Sequence, residues 1–307
     1  MLRFLPGWVL GCLSVALVTV NTLLWSIPFY IVGAIYRVGR SHAWRQRWSP
    51  PLLHLGEGWV WCNTVLLKGI HALNLQIRGT ENLRYDAWYL VTSNHQSWVD
   101  IPILQAVFLR KIPFIKFFLK RELIWVPVLG LAWWFLGLPF MRRYSRAELE
   151  KRPELRNADL DEVRRACDHF RDAPVAILNF VEGTRFTRQK HDQQQSPFAH
   201  LLRPKAGGIA SVIGAMGEKL NAILDVTIVY PGGPPTFWEF ACGRTDRVVV
   251  EVAERPLPPE LIGADYTGDP AVRARFQEWI MEVWEEKERR MAELLQGETP
   301  QPLRAVG

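Results

Sequence analysis

The sequence predicts an α/β fold behind a membrane-anchoring helical segment, and three observations carry that expectation. From residue 75 onward, short apolar runs of strand length alternate with longer runs whose apolar residues recur at helical spacing. Ahead of them, no residue from Trp8 to Tyr36 is charged, a run longer than the roughly 20 residues that cross a bilayer. A chain of 307 residues with 49% hydrophobic and 22% charged content can bury one large domain with attachments, which excludes a disordered chain.

The apolar run lacks the short hydrophobic region and small-residue cleavage site of a signal peptide. Gly11, Pro28 and Gly33 allow it to bend or tilt. Arg37, Arg40, Arg45 and Arg47 follow it, interleaved with Trp44 and Trp48, whereas only Arg3 and the terminal amine precede it. That asymmetry places the bulk of the chain on the cytoplasmic side. The arginines serve as a topology signal alone or also hold anionic headgroups. Residues 51–73 mix Leu52, Leu55, Trp59, Val60, Leu66 and Ile70 with His54, Glu57, Asn63 and Lys68, the pattern of an amphipathic helix. It either lies on the membrane or packs on the domain. Residues 1–74 therefore read as an anchoring region.

For residues 75–260 the pattern predicts strands at 75–78, 88–92, 174–181, 224–230 and 247–253, and helices at 98–110, 157–170 and 206–216. Asn157 or Asp159 would cap the second of these helices, whose Leu160, Val163, Cys167 and Phe170 share one face. A second charge-free stretch, Ile124 to Met141, is broken by Pro127, Gly130, Gly137 and Pro139 and is expected to form a wall of the domain rather than a second crossing. Residues 188–200, rich in Gln with Lys190, His191 and Asp192, read as a solvated polar loop. In residues 261–307, Val272, Phe276, Trp279, Ile280 and Val283 predict a docking helix, with a disordered tail from Gly297.

The net charge of +6 and pI of about 9.2 suit nucleic acid, anionic lipid or a phosphorylated substrate. Because the charge sits beside a membrane anchor and 14 Trp favour an interface, nucleic acid is not expected as a partner. Cys12, Cys62, Cys167 and Cys242 are far apart, so neither a zinc site nor a disulfide framework is indicated. The seven histidines show no metal-ligand spacing, and no metal is expected.

Chemistry concentrates in three boxes. The first is Asn94-His95-Gln96-Ser97-Trp98-Val99-Asp100. A carboxylate can fix a histidine's tautomer and stabilise its cation, making it a base near neutral pH. Five residues are about 140° apart around a helix, so a turn must join His95 to Asp100, with Ser93-Asn94 as the break and Ser97 as a possible cap. His95 would then stand at the C-terminal end of the strand over 88–92, where open α/β sheets collect ligands. On this box alone a histidine hydrogen-bonded in a loop is an equal reading. The second box is Gly137-Leu138-Pro139-Phe140-Met141-Arg142-Arg143, and the third Phe180-Val181-Glu182-Gly183-Thr184-Arg185.

In this order, over residues 75–260, the boxes resemble the signature blocks of the glycerophospholipid acyltransferase family, the PlsC-like lysophosphatidic acid acyltransferases among them. The resemblance implies a mixed central sheet flanked by helices. It implies that His95 and Asp100 form the pair that deprotonates an acceptor hydroxyl, which attacks an acyl thioester directly. It implies that Arg143 and the box of Glu182, Gly183, Thr184 and Arg185 bind the acceptor, with the two arginines on its phosphate. A guanidinium suits that task by bidentate geometry, and Gly183 lets backbone amides approach an anion. Glu182 would repel a phosphate and is expected to orient Arg185 or a substrate hydroxyl. Lys120, in Phe117-Phe118-Leu119-Lys120-Arg121, resembles a basic element of the family that reaches the site. Lys205, ahead of Gly207-Gly208, is a weaker anion-binding candidate.

The chain departs from the family pattern at Val181, where proline is usual, and in Val229-Tyr230-Pro231, where Pro231 is the clear match. Overall it is most similar to the lysocardiolipin-acyltransferase-like branch and its bacterial inner-membrane relatives. The implied partners are membrane phospholipid, a lysophospholipid acceptor, and acyl-CoA or acyl carrier protein as donor; no cofactor is implied. A serine hydrolase using Ser93 or Ser97 lacks the G-x-S-x-G elbow. A lipid-binding scaffold without catalysis would have no need of His95 and Asp100.

Overall fold

The computed structural model describes residues 4–39, 41–71, 73–141, 158–168, 170 and 173–297. Its strands are β1 (Asn74–Arg78), β2 (Tyr89–Ser93), β3 (Ile115–Phe117), β4 (Leu119–Lys120), β5 (Phe140–Met141), β6 (Ala176–Phe180), β7 (Ala222–Val229) and β8 (Arg247–Arg255). Six of them form one sheet in the order β1-β8-β7-β2-β6-β3. Only β7 and β8 run antiparallel within it. The sheet is therefore mixed, and β7, β2, β6 and β3 share one direction. β2 and β7 are buried at every position, which is why they read as near-continuous apolar runs. The three shortest strands escape the sequence pattern because two or three residues carry no readable alternation.

The helices are α1 (Gly7–Val38), α2 (His42–His71), α3 (Asp100–Phe108), α4 (Leu129–Phe135), α5 (Ala158–Asp168), α6 (Arg188–Gln194), α7 (Ala206–Met216), α8 (Phe237–Ala241) and α9 (Pro270–Gln296). Side chains alternate across the sheet. Leu90, Ile177 and Ile223 pack with Val163 and Cys167 of α5, Ile209 and Ile213 of α7, and Phe276, Ile280 and Trp284 of α9. Val91, Leu178 and Leu224 pack on the opposite side with Ile103, Leu104 and Val107 of α3. Asp269 caps α9 by accepting the Ala271 amide, and Gly297 ends it at φ 81°, a conformation only glycine adopts freely. The tail expected beyond Gly297 and the cap expected at Asn157 lie outside the described residues.

A buried charge network ties α9 to the sheet. Lys287 Nζ meets Asp225 Oδ1 at 2.7 Å and donates to the Val226 carbonyl at 2.6 Å. Arg255 joins Asp225 at 3.1 Å and Glu286 at 2.8 Å. Burial alone would raise the Asp225 carboxyl, but Lys287 and Arg255 outweigh it and hold it below the ordinary range.

α1 is long and apolar enough to cross a membrane, and it touches the domain near both ends. At Gly11 an added Cβ would lie 2.8 Å from Cys242 Sγ, so only glycine lets α1 approach α8. At Gly33 the same atom would meet the Phe135 ring of α4 at 2.6 Å. Tyr30 donates to the Val128 carbonyl at 2.5 Å, and Arg37 to the Trp134 carbonyl at 2.6 Å. α2 carries the amphipathic stretch expected over 51–73, and it packs along α1 and α3. The apolar stretch 124–141 is divided into a 3-10 turn (Arg121–Trp125), α4 and β5. α4 spans only about 10 Å at 1.5 Å per residue, too short to cross a bilayer.

Candidate active site

Four adjacent parallel strands deliver their C-terminal ends to one edge. β2 leads to His95, β6 to Glu182 and its box, β7 to Tyr230, and β3 to Lys120. Ser93 and Phe180 stand opposite each other at the ends of β2 and β6. Two boxes separated by 80 residues in the chain thereby become neighbours. They are tied by the Phe186 amide donating to the His95 carbonyl at 2.7 Å.

Past β2 the chain turns sharply, and Asp100 opens α3 with its side chain folded back into that turn. Its Oδ2 accepts the Gln96 amide at 2.6 Å, the Ser97 amide at 2.9 Å and the His95 ring at 2.8 Å. Its Oδ1 accepts the Tyr230 hydroxyl at 2.6 Å. Fully buried, this carboxylate has its oxygens satisfied by four donors. Because Asp100 accepts at Nδ1, the proton of neutral His95 sits there and Nε2 presents its lone pair. Nε2 has no hydrogen-bond partner among the described residues. The ring lies flat on Phe180, centroids 3.9 Å apart and planes at 15°, which holds it edge-on to the opening. The pair can accept a proton from a hydroxyl and stabilise the resulting imidazolium.

Ser97, expected as a possible cap, accepts the Val99 amide on its hydroxyl at 3.2 Å and donates to the Pro235 carbonyl at 2.6 Å, in the turn that leads through Val99 into α3. Ser93 likewise donates to a carbonyl, that of Asn94, at 2.9 Å. Asn94 bonds Ile228 twice, amide to carbonyl and carbonyl to amide, each at 2.9 Å, splicing the turn onto β7.

In the third box Gly183 has φ 69°, and Lys205 Nζ would be 3.4 Å from any Cβ there. Arg185 lays its guanidinium over the exposed Trp98 ring, 4.1 Å from the centroid. Lys190 Nζ donates to Thr184 Oγ1 at 2.7 Å and to the Arg185 carbonyl at 3.0 Å. Lys120 and Lys205 are near enough for their charges to act on Lys190 together with Arg185. Lys205 lies against the Gly183 turn, and Arg185, Lys120 and Lys205 are grouped about Lys190.

Glu182 is turned inward rather than toward Arg185. It is buried, and neither oxygen completes a hydrogen bond among the described residues. Burial pushes its carboxyl up to about 8, with the nearby His95 and Leu202 amides and the Lys287 charge only partly opposing. Of its two expected partners, Arg185 makes no hydrogen bond or ion pair with it among the described residues, which leaves a substrate hydroxyl, and the raised carboxyl lessens its repulsion of a phosphate. Arg143 lies outside the described residues. β5 pairs with β4, Lys120 opposite Met141, so the second box approaches Lys120 up to that residue.

Several residues of this site were not legible. Tyr230 looks like an ordinary strand-end residue, yet it is the second anchor of Asp100. Residues 188–194, expected as loop, form α6 because Thr187 accepts the Lys190 amide at 3.3 Å. The Thr187-x-x-Lys190 spacing was the available signal. Between α1, α2, α4 and the end of β3 lies an apolar cavity lined by Trp25, Phe29, Trp59, Phe117, Trp133 and Leu138 among others.

The family model described as acyltransferase matches residues 74–230. Among curated proteins, 1-acyl-sn-glycerol-3-phosphate acyltransferase gamma of Mus musculus is 28% identical over 182 residues, which cover 56% of this chain and 44% of that protein. The epsilon protein of Mus musculus is 24% identical over 233 residues, covering 68% and 58%. The chain thus spans less than two thirds of these relatives. Among solved structures, that of the 1-acyl-sn-glycerophosphate acyltransferase PlsC from Thermotoga maritima is similar with a TM-score of 0.49 and 18% identity, over 89% of this chain and 97% of that one.

Proposed function

The chain belongs to the acyltransferase family, and we propose that it transfers a fatty acyl group from an acyl thioester to the free hydroxyl of a lysophospholipid such as 1-acyl-glycerol-3-phosphate. The observation that carries this reading is a His95–Asp100 couple whose Nε2 has no hydrogen-bond partner among the described residues, set beside four cations that form no ion pair with a carboxylate among those residues. Nε2 takes the acceptor's hydroxyl proton as its oxygen bonds to the thioester carbonyl carbon. The resulting tetrahedral centre expels the thiolate, which recovers the proton from the imidazolium. No covalent enzyme intermediate is needed, and both nearby serine hydroxyls are engaged with carbonyls.

Arg185, Lys120 and Lys205 are suited to the acceptor's phosphate, with Arg143 expected beside them. Gly183 lets the chain turn tightly, Thr184 helps set that turn, and the raised Glu182 carboxyl lessens the compensation of the positive charge. The cavity between α1, α2 and α4 offers apolar surface of the kind an acyl chain would contact. Acyl-CoA or acyl carrier protein supplies the thioester, and the chemistry calls for no cofactor or metal.

The contacts of α1 with the domain also bear on the membrane. Gly11 and Gly33 are about 33 Å apart at 1.5 Å per residue, close to the thickness of the hydrocarbon core. A helix crossing upright would have the domain at both membrane faces. We therefore favour α1 lying along one face with exposed Val20, Leu24, Ile27 and Ile31 in lipid. Arg37, Arg45 and Arg47 favour the cytoplasmic face, and the branch resemblance favours a bacterial inner membrane.

The test is detergent-purified protein with labelled acyl-CoA, and in parallel labelled acyl carrier protein, against a panel of lysophospholipids, read by product mass. Acylated product with a phosphate-bearing acceptor is expected. No product from any pairing would refute the assignment.

A further inference from the structure

Lys190 has no part in the reaction as derived, yet its placement is specific. Thr187 holds its backbone at the start of α6, and its side chain turns back to the end of β6. There Nζ ties two successive residues of the acceptor box, Thr184 through its hydroxyl at 2.7 Å and Arg185 through its carbonyl at 3.0 Å. Arg185 is thereby fixed from both sides, its carbonyl by this ammonium and its guanidinium by the Trp98 ring. α6 is itself braced. His191 Nε2 meets the Phe198 carbonyl at 2.6 Å and its Nδ1 the Asp192 carboxylate at 3.0 Å.

The charges around Lys190 are unusual for a structural tether. Burial, and then the positive charges of Arg185, Lys120 and Lys205, push its pKa down, with Glu182 opposing. No carboxylate forms an ion pair with Lys190 among the described residues. An ammonium held among three cations is relieved by a bound anion, and a dianion relieves it more than a monoanion.

We propose that Lys190 is a positioning and specificity residue of the acceptor site: it holds the turn from Gly183 to Arg185 so that Arg185 faces the headgroup, and its fixed charge favours a terminal phosphate over a phosphodiester. The proposal rests on the acyl-transfer reading above.

The experiment compares the full-length protein with Lys190→Met, Lys190→Arg and the distant, exposed Lys219→Met. Each is assayed with labelled acyl-CoA and two acceptors, one ending in a phosphate and one in a phosphodiester headgroup. Lys190→Met is expected to raise the KM for the terminal-phosphate acceptor about 10- to 100-fold, the size of a lost charged hydrogen bond. The phosphodiester KM should rise less, and kcat and the donor KM should change little. Lys190→Arg should restore most of the loss, and Lys219→Met should match wild type. If Lys190→Met does not fold, Thr184→Val, which removes one of the two ties, should show the same selective KM change. An unchanged ratio of the two acceptor constants, or equal losses in kcat on both, would overturn the proposal. Calorimetric binding of glycerol 3-phosphate separates this from the reading it rests on. Weaker binding by Lys190→Met than by Lys219→Met supports Lys190 even where no transfer is detected, and equal binding contradicts it even where transfer is robust.

Discussion

Two groups of charged side chains lie along the same sheet and are built in opposite ways. In the first, Asp225, Lys287, Arg255 and Glu286 are interleaved by sign, and each cation has a carboxylate within about 3 Å. In the second, Lys120, Arg185 and Lys205 are grouped about Lys190, held by a hydroxyl, a carbonyl and an indole ring. Glu182, the acid whose charge acts on Lys190, has its carboxyl pushed up to about 8 by burial. A closed network of paired charges orders α9 against β7 and has no affinity to spare. An open group of like charges is costly unless an anion completes it. His95 lies between the two, its turn spliced to β7 by Asn94 and its carbonyl bonded to the loop that carries Arg185.

Replacing members of each group should separate their tasks. The largest effect on turnover belongs to the His95–Asp100 couple between them: Asp100→Asn should lower acyl transfer by about 10²–10⁴ with the fold intact, because an amide can donate to Nδ1 and select the wrong tautomer. Steady-state kinetics with circular dichroism checks it. In the closed network, Lys287→Met should destabilise the protein by about 3–5 kcal/mol, since it leaves Asp225 buried and undercompensated. Denaturant unfolding measures this, and the folded fraction should keep most of its kcat. A collapse of kcat at full stability would show that the network is not merely structural.

In the open group, Arg185→Ala should leave stability nearly unchanged and raise the acceptor KM by about tenfold or more, with the donor KM unaffected. Equal changes for donor and acceptor would move the phosphate elsewhere. The smallest effect on turnover is expected for Glu182→Gln, and its signature is in pH. The folded pKa of Glu182 is raised to about 8 from 4.5, so the folded protein holds a proton that the unfolded chain releases between those values. Stability contributed by that proton is fully present below about 4.5 and is lost as pH rises through about 8. Glu182→Gln should remove this decline, gaining on the order of 1 kcal/mol or more over wild type at pH 8. Thermal unfolding across that range is the measurement, and parallel curves for the two proteins would contradict a buried neutral acid.

What could be seen in the sequence follows from how local each feature is. The strands of the central sheet declare themselves by apolar runs such as Val248-Val249-Val250 and by the polar residues after them. His95 and Asp100 are five residues apart, and the turn that joins them can be argued from geometry. Tyr230 could not be found this way, because it reaches Asp100 only through the pairing of β7 with β2 across 130 residues. Glu182 was legible as a charged residue and misread as one, since burial is a property of the packed sheet. Lys190 was hidden in a stretch whose composition reads as solvated, although a single cap at Thr187 is enough to make it helical.

The account stands most directly on His95. Single-turnover transfer from labelled acyl-CoA to a lysophospholipid should fall by at least about 10²–10⁴ in folded His95→Ala, with acceptor binding retained through the open cation group. A folded His95→Ala protein that transfers acyl groups at the wild-type rate would contradict it.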